Sequence, residues 1–322
     1  DCIIGFALGL NTSKTGFNFS GFAPKAKKIL VDIDEGQLHA QPVKPDIGIH
    51  ADVRIFLQAL LRKIKAEGLK FNPSPRWLEA CASLKERYPI ITEDYFRDTD
   101  HVNSYVFMDR LSDQALARDI VVAGNGIDAA SYWQAFKVKR GQRCMINGNW
   151  GSMGWDLPAA VGACIGSNRR TICVTGDGSS QWNVQELLTI KHYNLPIKIF
   201  ILNNQGYTNI RMTQSAFFGR FVGADKASGV SNPDFSYLAS AYGLRYSSIQ
   251  NNAELEKGIK GVLADDVATL CEVNISVEQG ISPKASSFKR DDGVLESRPL
   301  EDMSPFLPRQ EIWDNMHIFD ED

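Results

Sequence analysis

The sequence lacks the marks of several protein classes. None of its apolar runs approaches the ~20 residues that span a bilayer. Neither sign of charge is in surplus: the net charge is −3 over 322 residues. That balance gives no reason to expect nucleic acid or an anionic membrane as a partner. The six cysteines, Cys2, Cys81, Cys144, Cys164, Cys173 and Cys271, include no C-x-x-C pair. Several sit in apolar runs, so free thiols and a reducing, cytoplasmic location are expected. None of the five histidines falls in a metal or nucleophile pattern. His192 closes a helical stretch and reads as a dipole or capping residue. No internal repeat stands out, and the first residues do not read as a signal peptide. Asp1-Cys2-Ile3-Ile4-Gly5-Phe6-Ala7 reads as a strand already under way, so the chain is expected to be a fragment of a longer polypeptide.

What is present is ordinary soluble α/β material. Hydrophobic residues make up 43% and charged residues 23%, enough for two domains with real cores. Residues 1–68 alternate short strands and helices, with a buried-strand pattern at Lys28 to Ile33 and an amphipathic helix from Asp52 to Lys65. Residues 69–104 read as a linker broken by Pro73 and Pro75, with a helix-like stretch from Arg76 to Tyr88. A second α/β segment covers 105–275. Strands are expected near Ile120–Ala123, Thr171–Thr175, Pro196–Leu202 and Leu270–Val273, with helices between them, among them 157–165, 179–194 and 252–263. Such alternation predicts doubly wound parallel sheets. Residues 276–322, rich in Pro, Ser and charge, read as a tail that wraps the surface or covers a site.

The most informative stretch is Gly176-Asp177-Gly178, followed after residues 179–202 by Asn203-Asn204. Each element ends an apolar run. A right-handed crossover places both ends on one edge of a parallel sheet. One carboxylate, one amide oxygen and a nearby main-chain carbonyl form a hard oxygen set suited to Mg²⁺. The glycines and the free N–H groups of the following turn suit a diphosphate. Gly-Asp-Gly alone would be no more than a tight turn; the paired asparagines at this spacing raise it to a candidate site.

Upstream lies Gly151-Ser152-Met153-Gly154-Trp155-Asp156-Leu157-Pro158-Ala159-Ala160, a Gly-rich turn opening a helix with proline in its first turn. Ile120 to Ala129 is a strand followed by G-x-G-x-x-A, the pattern of a dinucleotide loop. The acidic residue expected about twenty positions on is missing, since 141–151 contains no Asp or Glu. An NAD-binding dehydrogenase therefore stays open as an alternative, as does a non-catalytic cofactor-binding module.

Gly-Asp-Gly, some two dozen residues and Asn-Asn together resemble the signature of the thiamine diphosphate (ThDP) enzymes. That resemblance implies Mg²⁺ ligands at Asp177, Asn204 and the Gly206 carbonyl. Gly151 to Ala160 resembles the Met-Gly-x-x-Leu-Pro-Ala-Ala stretch of the acetolactate synthase-like branch, which implies that Met153 supports a bent cofactor. Gly124, Asn125 and Gly126 would then meet the cofactor diphosphate, together with Gly151, Ser152, Gly176, Gly178 and Ser179. Residues 1–68 resemble part of that branch's Rossmann-like central domain. FAD is a weaker expectation there, near Asp32, Asp34 and Asp52, which also read as a strand end and a helix cap. The tail resembles tails of a subgroup linked to surface-polysaccharide genes.

The resemblance implies decarboxylation of a pyruvate-like 2-oxo acid and carboligation, with the activating Glu on a pyrimidine-binding domain that nothing in this chain matches. The chain alone is therefore expected to be inactive, and to work as a homodimer or tetramer with that domain. Where acetolactate synthases carry a Trp after Asn-Asn, this chain has Thr213, with Asn209 and Arg211 nearby. A more polar acceptor, such as a keto-sugar, is expected of that wall.

Overall fold

A computed structural model describes residues 2–148 and 150–318. Asp1, placed above in the first strand, and residues 319–322 of the expected tail lie outside the described residues. The chain divides into two compact units, residues 1–88 with 282–322, and residues 89–281.

The first unit carries a parallel sheet of β1 (Cys2–Phe6), β2 (Lys27–Asp32) and β3 (Ile47–His50), with β2 central. Leu10, Leu30, Leu38 and Val43 form its small core. Asp34 caps helix Glu35–Ala40 by accepting the Gly36 N–H, and Asp52 caps helix Val53–Ala66 by accepting those of Arg54 and Ile55. Helix Val53–Ala66 buries none of its residues; Ile55 is 63% and Leu61 55% exposed. The stretch expected to be a linker contains helix Pro75–Arg87. Residues read as a tail form an antiparallel hairpin of Ser287–Lys289 and Leu295–Ser297, then helix Arg309–Met316. Within this unit Tyr88 donates to Glu311 Oε1 at 2.5 Å and accepts from Asn315 at 2.8 Å. Asp302, only 5% exposed, pairs with Arg298 and Arg309, each at 2.7 Å.

The second unit is built on a six-stranded, wholly parallel sheet. Its strands are β4 (Ile120–Ala123), β5 (Arg143–Ile146), β6 (Thr171–Gly176), β7 (Ile197–Asn203), β8 (Arg245–Ile249) and β9 (Thr269–Asn274), in the order β5-β4-β6-β7-β9-β8. Side chains alternate between faces with period two. Val121, Ala123, Ile172, Val174, Phe200 and Leu202 pack on one side with helices Ser104–Gln114, Ile127–Ala135 and Leu255–Leu263. Ile120, Val122, Cys173, Ile199 and Ile201 pack on the other with helices Asp156–Ser167, Glu186–His192 and Phe235–Ala241. Burial on both faces explains why the inner strands read as unbroken apolar runs. The doubly wound α/β fold expected from the sequence is the one observed. β7 starts one residue after Pro196, whose nitrogen cannot donate to the ladder.

The chain leaves β4 toward β5 on one side, while β6 and β7 lie on the other. The strand order thus reverses between β4 and β6, and a crevice opens beyond their carboxyl ends. Ligands of open α/β sheets bind at such a point.

Two differences from the sequence-based expectation concern local structure. The helix expected over 179–194 is two short pieces, Asp177–Ser180 and Glu186–His192. Tight i→i−3 bonds, Trp182 to Ser179 and Glu186 to Asn183, fill the gap. There the Asn183 amide donates to the Gly154 carbonyl at 2.7 Å, a tertiary contact that regular helix would forgo. Strands β5 and β8 were not expected, because both are sheet edges with half-polar sequences. In β8, Arg245-Tyr246-Ser247-Ser248-Ile249, only Ile249 is buried.

Candidate functional site

Three strand ends and one turn converge on a cavity of about 590 Å³ in the second unit. Asn125 and Gly126 follow β4. Gly176, Asp177, Gly178 and Ser179 come from the end of β6. Asn204 and Gly206 follow β7, and Gly151 and Met153 come from the turn before helix Asp156–Ser167. All ten of these residues were singled out in the sequence, and all ten line the cavity. Gly124 and Ser152 do not; Ser152 is exposed, and Gly124 lies beneath the lining.

Asp177 is 1% exposed and sits in a cage of donors. Its Oδ1 accepts the Gly178 N–H at 2.8 Å. Oδ2 accepts the Gly206 N–H at 2.9 Å and the Asn232 amide at 2.6 Å. A carboxylate offers about four lone-pair sites, so three bonds leave roughly one for a cation. Burial raises its pKa, against the pull of those hydrogen bonds. Asn204 is 3% exposed; its amide nitrogen donates to Thr208, while Oδ1 is buried and has no partner among the described residues. A buried, unpaired amide oxygen is costly, which makes it a natural ligand position. Among the described residues no three His, Cys, Asp or Glu side chains converge as a metal cluster. The donor set fits a hard cation bound by one carboxylate, one amide oxygen and a main-chain carbonyl.

Close backbone approach explains the glycines. A Cβ on Gly178 would lie 2.1 Å from Tyr207 Cε1, because the Tyr207 ring covers that turn. Gly206 has φ +139°, and a Cβ there would meet the Ala224 carbonyl at 2.3 Å. Ser179 joins two parts of the cradle: its hydroxyl accepts the Gly154 N–H at 2.9 Å and donates to Asp156 Oδ2 at 2.7 Å. Asn125 donates its amide to the Gly151 carbonyl, tying the loop after β4 to the same turn.

Several site residues escaped the sequence. Asn232 lies outside any motif, yet it bonds both Asp177 and Asn203. Asp128 and Asp156 fall within the two Gly-rich stretches but take no role from them; the structure places each in the first turn of a helix. Thr213, expected on the acceptor wall, is exposed and outside the lining; Asn209, Ile210 and Gln214 line it instead. Gln214 is longer, and its amide is anchored on both the N–H and the carbonyl of Val222. Arg211 does not add polarity to this wall. It is 8% exposed and donates to the carbonyls of Asn204, Ala224 and Val277 at 3.2–3.4 Å, facing a second cavity.

With this geometry in hand, likeness to known proteins is specific. Residues 125–273 match the family described as thiamine pyrophosphate enzyme, C-terminal TPP binding domain. This span contains most of the strand ends that build the cavity. The chain is 30% identical over 303 residues to the acetolactate synthase large subunit of Cyanidium caldarium, covering 92% of this chain and 50% of that protein. With the acetolactate synthase isozyme 1 large subunit of Escherichia coli the identity is 28%, covering 81% and 45%. A probable acetolactate synthase large subunit of Methanococcus aeolicus is 26% identical, covering 94% and 52%. The chain belongs to the thiamine diphosphate-dependent, acetolactate synthase-like family. It spans about half the length of these curated relatives.

Proposed function

We propose that this chain supplies the diphosphate- and metal-binding part of a ThDP- and Mg²⁺-dependent enzyme. Its reaction would be decarboxylation of a pyruvate-like 2-oxo acid and transfer of the resulting aldehyde unit to a carbonyl acceptor. The observation that carries this reading is the buried, unpartnered Asn204 Oδ1 on the same cavity wall as Asp177. Asp177, Asn204 and the Gly206 carbonyl would hold the metal. Gly124 to Gly126, Gly151, Ser152, Gly176, Gly178 and Ser179 would hold the diphosphate, Gly124 and Ser152 from just outside the cavity lining. The cofactor, when bound, supplies the reactive carbon and the electron sink. The protein's share is to bind, bend and shield it. Met153, half-buried on the cavity wall, would support the bent form.

The family's activating Glu would come from a pyrimidine-binding domain outside this chain, in a homodimer or tetramer. On this reading the chain alone is inactive and works in the cytoplasm. Asn209 on the lining favours a hydroxyl-bearing acceptor, such as a keto-sugar in surface-polysaccharide synthesis. FAD in the first unit is not part of this proposal: Asp34 and Asp52 are engaged as helix caps.

Calorimetric titration tests the cofactor. ThDP with Mg²⁺ is expected to bind and NAD is not; the reverse result would favour a dehydrogenase. A longer chain carrying the pyrimidine domain should release CO₂ from a 2-oxo acid. Sustained turnover by the 322-residue chain alone would sink the claim that it is incomplete.

A further inference from the structure

Two more carboxyls lie in the floor of the cradle. Asp128 is 1% exposed and Asp156 is 0% exposed. They flank Gly124, where a Cβ would come within 2.2 Å of Asp128 Oδ2 and 2.8 Å of Asp156 Oδ2. Each carboxyl holds one of the two loops at the switch point. Asp128 Oδ1 accepts the Gly126 N–H at 2.8 Å, beyond β4. Asp156 Oδ2 accepts the Ser179 hydroxyl at 2.7 Å, beyond β6, and its Oδ1 accepts the Leu157 N–H at 2.9 Å. Asp128 Oδ2 is buried with no partner among the described residues, and Asp128 also lines the cavity.

Among the described residues, no lysine, arginine or histidine is one of the leading influences on either carboxyl. From the sheet below, the buried Cys173 thiol faces both, and its own pKa is pushed up by burial and by their charge. Two carboxylates this close and this deeply buried cannot both ionise cheaply.

We propose that Asp128 and Asp156 share one proton, and that a diphosphate entering the cradle above neutral pH binds with uptake of a proton by this pair. The shared proton keeps a second negative charge out of the floor beneath an anion. It also supplies the hydrogen that Asp128 Oδ2 otherwise lacks. Burial, and then the neighbouring Asp156 charge, push Asp128 up to about 7; burial raises Asp156 as well. Such a pair titrates as a unit. Once its proton leaves, the second charge repels the diphosphate. One linked proton lowers anion affinity by up to about tenfold for each pH unit above that point.

The proposal rests on the diphosphate reading of the cradle, and its test separates the two. Aspartate ¹³Cγ shifts of the ligand-free chain are followed from pH 4 to 9, in the native protein, Asp128→Asn and Asp156→Asn. A carboxyl titrating near pH 7 is expected, and both variants should lose it. Carboxyls that all titrate below pH 5 would overturn the shared proton. Binding of inorganic pyrophosphate with Mg²⁺ is then measured by calorimetry at pH 7.5 in two buffers of different ionisation enthalpy. Proton uptake is expected to be greater in the native chain than in either variant. Equal uptake would overturn the linkage. Absence of any binding, with the neutral titration retained, would overturn the linkage by failure of the diphosphate reading and leave the carboxyl pair standing.

Discussion

Gly206 donates its backbone N–H to Asp177 Oδ2 at 2.9 Å, joining the loops beyond β6 and β7. The same carboxylate oxygen takes the Asn232 amide from a third segment. One buried carboxylate thus ties its own turn beyond β6 to the loop beyond β7, which would give both the amide ligand and the carbonyl. Asp177→Ala should remove a candidate ligand and release Gly206 together. We expect Mg²⁺-dependent ThDP affinity to fall by at least about a hundredfold, read by calorimetry. An unchanged affinity would remove Asp177 from the site.

Replacing Gly206 by Ala puts a methyl against the Ala224 carbonyl, a backbone atom with little freedom to move. The positive φ adds strain. A loss of about 1–3 kcal/mol in urea unfolding is expected. Gly176→Ala makes the control: nothing lies within 4 Å of its Cβ, so its stability should change far less.

Arg211 acts through backbone, not through the cavity wall. Arg211→Met keeps much of the side-chain volume and takes the Arg211 donor from the carbonyls of Asn204 and Val277, while the Ala224 carbonyl keeps the Tyr207 N–H. Buried carbonyls stripped of a charged donor cost about 1–3 kcal/mol. Stability and metal affinity should fall together, because the Asn204 loop loosens. A stability loss with metal affinity intact would show that the loop is held by Asp177 alone.

The pH dependence of folding reports on Asp128. Its carboxyl is held near 7 in the fold, against an ordinary value of 3.8. The native state therefore binds that proton more tightly than the unfolded chain. The stabilising contribution is complete below 3.8 and is lost as the pH rises to about 7. At most about 1.4 kcal/mol per pH unit is at stake for one proton. Urea unfolding between pH 4 and 8 should show this slope in the native chain and a flatter one in Asp128→Asn.

At the opposite end of the strands, Arg170 grips the buried Asp119 with two nitrogens, at 2.7 and 3.0 Å. Arg170→Ala strands a carboxylate that is 0% exposed. Removing one partner of a buried pair costs about 3–5 kcal/mol. The loss should appear in unfolding experiments, while ThDP affinity of the folded protein stays close to native.

Much of this molecule was legible in its amino acids. Strands buried on both faces need continuous apolar runs, so β2, β4, β6, β7 and β9 announced themselves. The ends of β4, β6 and β7 carry their glycines, Asp177 and Asn204 in fixed sequence positions, and short-range geometry does the rest. Edge strands β5 and β8 need only one buried side and left no such pattern. Asn232 reaches Asp177 across 55 positions, a distance no local motif encodes. Nothing local singles out Asp128 or Asp156, each an acid in the first turn of its helix. Only the parallel pairing of β4 with β6 brings them to either side of Gly124. Sequence determined which strands carry the donors, because backbone periodicity is local. Tertiary structure decided which charges must share a confined, dry space, because burial and proximity belong to the packed sheet alone.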